Sequence, residues 1–86
     1  MYEVVLSRSF KKELEKQVKH NARLHGQVKK TLLLLNANIN NRSLGLHKLS
    51  GTEYWSVSVN ESYRMKIKIE DNYIYCLRFG THKEVY

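Results

Sequence analysis

The spacing of apolar residues changes once along this chain of 86 residues, from a helical repeat to strict alternation. In three runs between residues 54 and 79, every second residue is apolar, and the polar segments 60–62 and 70–72 separate the runs. A repeat of two residues is typical of half-buried strands. Three such runs joined by short turns predict an antiparallel meander.

The first half of the chain carries helical spacing instead. Two series of apolar residues recur at intervals of three or four, and they predict helices over residues 8–19 and 22–38. Ser7 can cap the first helix, and Asn21 breaks the pattern between the two. The series are Phe10, Leu14 and Val18, and then Leu24, Val28, Leu32, Leu35 and Ile39.

Together these elements predict an α+β fold. Residues 2–6 are β-prone and predict an opening strand, so the order of elements is β-α-α-β-β-β. The predicted arrangement is an antiparallel sheet packed against an N-terminal helical hairpin. We expect residues 1–86 to form one domain, because a chain of this length has interior for only one small core. The longest loop is the polar stretch 40–52.

The alternation in the third predicted strand decides which side chains face solvent. If Met65, Ile67 and Ile69 lie in the core, the basic residues between and beside them project from the opposite face of the sheet. The preceding strand supplies a matching polar row. If Tyr75, Leu77 and Phe79 point to the core, the last strand adds one more cation to this surface. The predicted basic, hydroxyl-rich surface consists of Arg64, Lys66, Lys68 and Arg78 with Tyr54, Ser56 and Ser58.

Charge and composition narrow the class of protein. The formal net charge is +7, and residues 1–43 hold nine basic and only three acidic side chains. Such a surface attracts polyanions, so nucleic acid, an acidic protein segment and an anionic membrane surface all remain possible partners. The longest apolar run is four leucines, far short of the roughly 18 residues of a membrane-spanning helix. Charge alone leaves a membrane surface open, but without a spanning segment or an export signal we expect no membrane partner and a cytoplasmic location. The single cysteine, Cys76, excludes an internal disulfide.

Four short motifs follow the order of these elements. They are Phe10 among the lysines of the first helix, Leu-His-Lys-Leu-Ser-Gly at residues 46–51, Tyr63-Arg64, and Phe-Gly-Thr-His at residues 79–82 followed by Val85-Tyr86. With these motifs the chain resembles the RelE/ParE superfamily of bacterial type II toxins over nearly its whole length. The closing Gly-Thr-His looks like the YafQ subgroup, and the Leu-Ser-Gly with Arg64 is similar to YoeB-like members. The resemblance implies the RelE-like fold.

The resemblance also implies an activity and partners. Its ribonuclease branch cleaves mRNA, usually on the ribosome, and a cognate antitoxin inhibits each toxin. Carried over to this sequence, the catalytic residues are His82, Arg64, His47 and Tyr86. The residues that would hold the RNA backbone are Lys48, Lys66, Lys68 and Arg78. The general base stays open, because Lys48 and Glu53 are candidates beside His47.

Cleavage by the neighbouring 2′-OH explains why such residues are needed. The enzyme must remove one proton, donate another to the leaving 5′-oxygen, and stabilise the extra negative charge on the phosphate. Histidine can carry either proton, so His82 is the first choice for the acid and His47 is the best candidate for the base. Arg64 offers a planar donor fork to the phosphate oxygens. We expect no cofactor and no metal, because the histidines and carboxylates show no ligand pair at helical spacing.

Two other functions fit the same sequence. The ParE branch inhibits DNA gyrase without cleaving RNA, although the two histidines count against that function here. A non-catalytic nucleic-acid-binding protein or a decayed toxin is the other alternative.

Overall fold

Side-chain caps begin the two long helices of the computed structural model, which describes residues 2–85. Helix α1 spans Arg8–Val18, and the Ser7 hydroxyl accepts a 3.0 Å hydrogen bond from the Phe10 N–H. Helix α2 spans Ala22–Ala37, and the Asn21 side chain accepts from the Leu24 N–H at 3.1 Å. Both helices therefore end within one residue of the bounds predicted from periodicity. None of the helices within residues 2–85 is long and apolar enough to cross a membrane.

The five strands of the sheet lie in the order β1-β5-β4-β3-β2. They are β1 (Glu3–Leu6), β2 (His47–Lys48), β3 (Trp55–Ser58), β4 (Tyr63–Glu70) and β5 (Tyr73–Thr81). A 3-10 helix, Arg42–Leu44, lies before β2, and a four-residue helix α3, His82–Val85, follows β5. The predicted α+β class and the order of the main elements are confirmed.

The prediction of a wholly antiparallel sheet is wrong at one edge. Strands β2 to β5 pair antiparallel, but β1 runs parallel to β5, with Glu3 opposite Tyr73 and Leu6 opposite Cys76. The helical hairpin carries the chain from the end of β1 across the sheet before the meander begins. Apolar alternation reports which face of a strand is buried, and it carries no information on the direction of a distant partner strand.

Helices α1 and α2 cover one face of the sheet, and the core lies between these layers. Phe10 of α1 is fully buried, and its ring meets that of Phe79 edge to face at 5.9 Å between centroids. The Tyr63 ring stacks on the other side of Phe79 at 5.5 Å. The remaining buried members of this cluster are Leu24, Val28, Leu35, Leu44, Val57, Met65, Ile67, Ile74 and Cys76.

Strand β5 changes the parity of its buried residues partway along. Ile67 of β4 lies opposite Cys76, whereas the preceding Lys66 lies opposite Arg78, so Leu77 is an extra residue in the ladder. Such a bulge reverses the alternation of the strand that contains it. Ile74 and Cys76 are therefore buried before the bulge, and Phe79 is buried after it. The prediction that Tyr75 and Leu77 point to the core is wrong, and the prediction for Phe79 is confirmed.

Candidate functional site

The face of the sheet opposite α1 and α2, here called the open face, carries the basic row of β4. Met65 and Ile67 are fully buried beneath the helices. Arg64, Lys66 and Lys68 occupy the alternate positions and are partly exposed. Because successive side chains of a strand project to opposite faces, these three lie on the open face, as the sequence predicts.

The Arg64 guanidinium is held in place by two hydrogen bonds. Its Nε donates to the Ser56 hydroxyl at 2.6 Å, and its Nη2 donates to the Gly45 carbonyl at 3.2 Å. Ser56 is 0% exposed, so this hydroxyl lies under the guanidinium, away from solvent. Gly45 ends the 3-10 helix with φ +53°, a left-handed conformation that glycine adopts without steric penalty. The loop before β2 thus supplies one of the two supports.

His47 lies beside this guanidinium. It is opposite Ser56 in the ladder, which puts its side chain on the open face. Its Nδ1 is 3.4 Å from Arg64 Nη2 and 3.3 Å from the Gly45 carbonyl oxygen. A protonated Nδ1 would donate to Gly45 and make Nε2 an acceptor, whereas a bare Nδ1 would accept from Arg64 and make Nε2 a donor. The two contacts therefore suit both tautomers, and the ring can act as a base or as an acid.

His82 reaches the same end of the sheet from the opposite side of β4. It is exposed at the start of α3, one residue after Thr81, which lies opposite Tyr63. Gly80 lies opposite Arg64, and a side chain there would project from the open face. A Cβ at Gly80 would be 3.0 Å from the Glu84 side chain, so this side chain of α3 lies against the open face. Strand pairing thus puts His82 next to the strand that carries Arg64.

The two lysines of the row, Lys66 and Lys68, differ in whether a carboxylate already pairs with them. Lys66 lies with its Nζ 4.7 Å from the centre of the Tyr54 ring, a cation–π contact on the open face. Lys68 instead forms ion pairs with Glu53 at 3.2 Å and with Glu70 at 3.3 Å. Hydrogen bonds to Glu53 and then to Glu70 raise the pKa of Lys68. Two carboxylates thus already neutralise Lys68.

Arg78 is tied to helix α1. Its guanidinium binds the Glu13 carboxylate with contacts of 2.7 to 3.1 Å, and the Phe79 N–H donates to the same carboxylate at 3.1 Å. Burial acts to raise the pKa of Glu13, but the bonds from Arg78 and Phe79 outweigh it, so this pKa lies below its ordinary value. Arg78 lies opposite Lys66 in the ladder, so it belongs to the open face, as the sequence predicts. Its ion pair with Glu13 of α1 is a finding of the structure, because nothing in the sequence marks a partner 65 positions away.

The remaining predicted residues lie apart from Arg64. Lys48 is opposite Trp55 in the ladder, and its Nζ is 5.5 Å from that ring, so it belongs to the face covered by the helices. Tyr86 lies outside the described residues. Within residues 2–85, no three His, Cys, Asp or Glu side chains are placed to hold a metal ion together.

The supports of the site are what the sequence analysis missed. Ser56 was placed in a polar row, but nothing in a serine that alternates with Trp55 and Val57 indicates that it holds an arginine. Gly45 lies in the polar stretch 40–52, where a glycine indicates a turn and not a partner for a distant side chain. The sequence does carry one usable signal, because Thr81 and Glu84 have the Thr-x-x-Glu spacing that is typical of helix starts.

The comparisons with known proteins agree on the fold. No family model matches the sequence, and no curated protein matches it. Among solved structures, a chain of the Escherichia coli DinJ-YafQ toxin-antitoxin complex is 20% identical, with 99% of this chain and 97% of that chain covered and a TM-score of 0.81. A metal-bound toxin from Helicobacter pylori is 20% identical over 100% of both chains, with a TM-score of 0.81. A chain of the heterotetrameric YoeB-YefM toxin-antitoxin complex from Staphylococcus aureus is 18% identical, covers 95% and 98%, and has a TM-score of 0.74. This chain therefore has the same fold as the YafQ chain of the DinJ-YafQ complex and the YoeB/ParE toxin from Agrobacterium tumefaciens.

Proposed function

We propose that this chain is the toxin of a type II toxin–antitoxin pair and that it acts as a metal-independent endoribonuclease on mRNA, on the ribosome. The RelE/ParE toxin fold supports the general role. The proposed nuclease activity rests on one observation. Ser56 holds the Arg64 guanidinium on the open face, and the His47 Nδ1 lies 3.4 Å from Arg64 Nη2.

Arg64 would stabilise the negative charge that develops on the scissile phosphate. Its Nε is used by Ser56 and one Nη2 hydrogen by Gly45. The two N–H groups of Nη1 take no part in these bonds and can donate to a phosphate oxygen. Because both supports form before substrate binds, the guanidinium does not have to be reoriented during the reaction, which is the condition for strong electrostatic catalysis.

The proton transfers would be divided between the two histidines. His47 would take the proton of the 2′-OH as the oxygen attacks phosphorus and forms a 2′,3′-cyclic phosphate. His82 would give its proton to the 5′-oxygen as the P–O5′ bond breaks, so protons and charge balance over the step. The two residues reach the Arg64 strand from opposite sides, through β2 and through β5, as the attacking and leaving oxygens of an in-line displacement require. Tyr86 remains a proposed fourth catalytic residue.

Lys66 is the most suitable contact for the RNA backbone, because it lies on the open face beside Arg64 and has no carboxylate among its contacts that the structure describes. Lys68 and Arg78 could bind a phosphate only in exchange for their carboxylate partners. Lys48, on the other face, would bind a separate segment of the RNA or of the ribosome.

The cognate antitoxin would present an acidic segment to the basic residues of this chain. Solved structures with the same fold occur in complexes of toxin with antitoxin. Helix α1 and the residue that ends it offer four exposed lysines to such a segment: Lys11, Lys12, Lys16 and Lys19.

The test is brief induction of the chain in bacteria, followed by mapping of transcript ends and an assay for DNA breaks. We expect growth arrest, new 5′-hydroxyl ends within translated regions, and intact DNA. Ribosomes themselves need Mg²⁺, so cleavage of mRNA on ribosomes would be measured with 1,10-phenanthroline, which removes transition-metal ions and leaves Mg²⁺. Cleavage should be unchanged, and its loss would refute metal independence. Intact transcripts with DNA breaks would instead indicate a gyrase inhibitor. Unimpaired growth would indicate a non-catalytic or decayed toxin.

A further inference from the structure

The Glu84 side chain closes the turn between the end of β5 and the start of α3. Thr81 is the last residue of β5, and the Glu84 Oε1 accepts a 2.8 Å hydrogen bond from the Thr81 N–H. In such a cap, the acidic residue of the first turn closes back onto the residue that precedes the helix. This bond, together with a hydrogen bond to the Thr81 side chain, lowers the pKa of Glu84, so the carboxylate is ionised at neutral pH.

His82 lies inside this closed turn. It is the first residue of α3, between the two residues that the cap joins. A helix of four residues is far too short to be stable on its own. Its geometry depends on the cap and on the burial of Val85, which is 3% exposed. The direction of the His82 side chain therefore depends on the Glu84 carboxylate, although the two residues need not touch.

Gly80 shows how closely Glu84 is held to the strand. A Cβ added at Gly80 would lie 3.0 Å from both the Cβ and the Oε1 of Glu84, which is tighter than most real Cβ contacts, so the Glu84 side chain would have to shift. The same glycine lies opposite Arg64. The Glu84 side chain therefore packs on the strand backbone beside the proposed site, and the glycine leaves room for it.

We propose that Glu84 is a positioning residue, which fixes His82 next to the Arg64 strand by capping α3 through Thr81. The inference rests on the proposed nuclease function, in which His82 is the acid. Glu84 takes no proton and contacts no substrate. By holding α3 in place, Glu84 increases the fraction of molecules in which His82 can reach the leaving oxygen.

The experiment compares Glu84→Ala, Glu84→Gln and the charge-matched control Glu61→Gln, at an exposed turn between β3 and β4. Single-turnover cleavage of mRNA on ribosomes would be measured with protein made in a cell-free translation reaction. We expect Glu84→Ala to reduce the single-turnover cleavage rate constant about tenfold or more, with the half-saturating protein concentration nearly unchanged, since small displacements of a catalytic group can reduce rates by about 100-fold. Glu84→Gln should retain most of the activity, because its amide oxygen can accept the same bond. Glu61→Gln should match the wild type.

A second readout does not depend on cleavage. Amide exchange at Thr81, followed by NMR, should accelerate in Glu84→Ala and stay slow in Glu84→Gln, while the exchange of core amides in β4 stays unchanged. Gly80→Ala should reproduce the loss of activity, and Gly80→Ala combined with Glu84→Ala should lose little more than either alone, because both act on one contact.

The outcomes separate the inference from the proposed function. Active wild type with full activity in Glu84→Ala would overturn the positioning role and leave the nuclease standing. Equal losses in Glu84→Ala and Glu84→Gln would also overturn it, since they would assign the effect to charge. Wild type without cleavage would refute the nuclease, and unchanged Thr81 exchange in Glu84→Ala would still refute the cap.

Discussion

Arg64 and Ser56 lie on adjacent strands, and the arginine Nε donates to a serine hydroxyl that is fully buried beneath it, at 2.6 Å. The pairing is diagonal in the ladder, because Ser58 is the residue directly opposite Arg64. The guanidinium therefore leans toward β2 and the His47 ring. A serine without a charge of its own thus decides where the cation lies.

Replacement of this hydroxyl should affect catalysis more than stability. In Ser56→Ala, water can still reach the partly exposed guanidinium, so we expect the free energy of unfolding to fall by only about 1 kcal/mol. The cleavage rate should fall about tenfold or more, because the arginine loses its fixed orientation. Urea denaturation and single-turnover cleavage measure the two effects. A rate equal to that of the wild type would show that Ser56 does not position Arg64.

Loss of the His47 ring should remove a proton carrier. In His47→Ala, we expect cleavage on ribosomes to slow by about 100-fold to 10,000-fold, the usual contribution of general acid–base catalysis. The matched control is His25→Ala, because His25 is an exposed histidine of α2, on the other side of the sheet. An effect of similar size in both variants would assign the loss to something other than proton transfer.

Two neighbouring lysines of β4 should contribute unequally to RNA binding. Lys66→Gln should weaken binding and reduce the dependence of log K on log salt by about one counterion. Lys68→Gln should change binding much less, because Glu53 and Glu70 already neutralise Lys68. Fluorescence anisotropy with a 2′-O-methyl RNA, which the proposed reaction cannot cleave, measures both. A larger effect from Lys68→Gln would contradict the assignment of Lys66 as the main backbone contact.

The Glu13–Arg78 ion pair should make stability depend on pH in one direction. The pKa of Glu13 is lower in the folded protein than its ordinary value, because the bonds from Arg78 and the Phe79 N–H outweigh burial. A carboxyl with a lowered pKa stabilises the fold above its unfolded pKa of about 4.3, and the contribution is lost as the pH falls through the folded-state value.

The variant Glu13→Gln tests this dependence. We expect it to lower the free energy of unfolding at pH 7 by about 1 kcal/mol, a value limited by the partial exposure of the pair. The difference from the wild type should vanish at a pH well below the ordinary pKa of glutamate. Urea midpoints measured across this range give the result, and a difference that persists in acid would assign it to packing.

The features that sequence could predict are those that depend on neighbouring residues. The helices follow from their apolar spacing and from the caps at Ser7 and Asn21. The open-face position of Arg64 follows from the alternation with Met65. These inferences need only the period of a helix or strand, and the structure confirms them.

The features that sequence could not predict depend on residues far apart in the chain. The extra residue Leu77 changes which residues of β5 are buried, and no local pattern marks it. Glu13 reaches Arg78 from 65 positions away. Strand β2 has only two residues, too few to show alternation, yet it carries His47 to the site. The sequence thus identifies which side chains carry charge or can transfer protons, but it does not identify the distant residues that they contact in the fold.

The parallel pairing of β1 with β5 joins strands that lie 70 positions apart, and Ser7 donates a hydrogen bond to the Leu77 carbonyl. During synthesis, β1 therefore has no partner until residues 73–76 have left the ribosomal exit tunnel. Contacts this distant in sequence form late, because the long intervening loop must be closed first. Translation that stops before residue 73 would therefore leave the β1 edge exposed and without a strand to pair with.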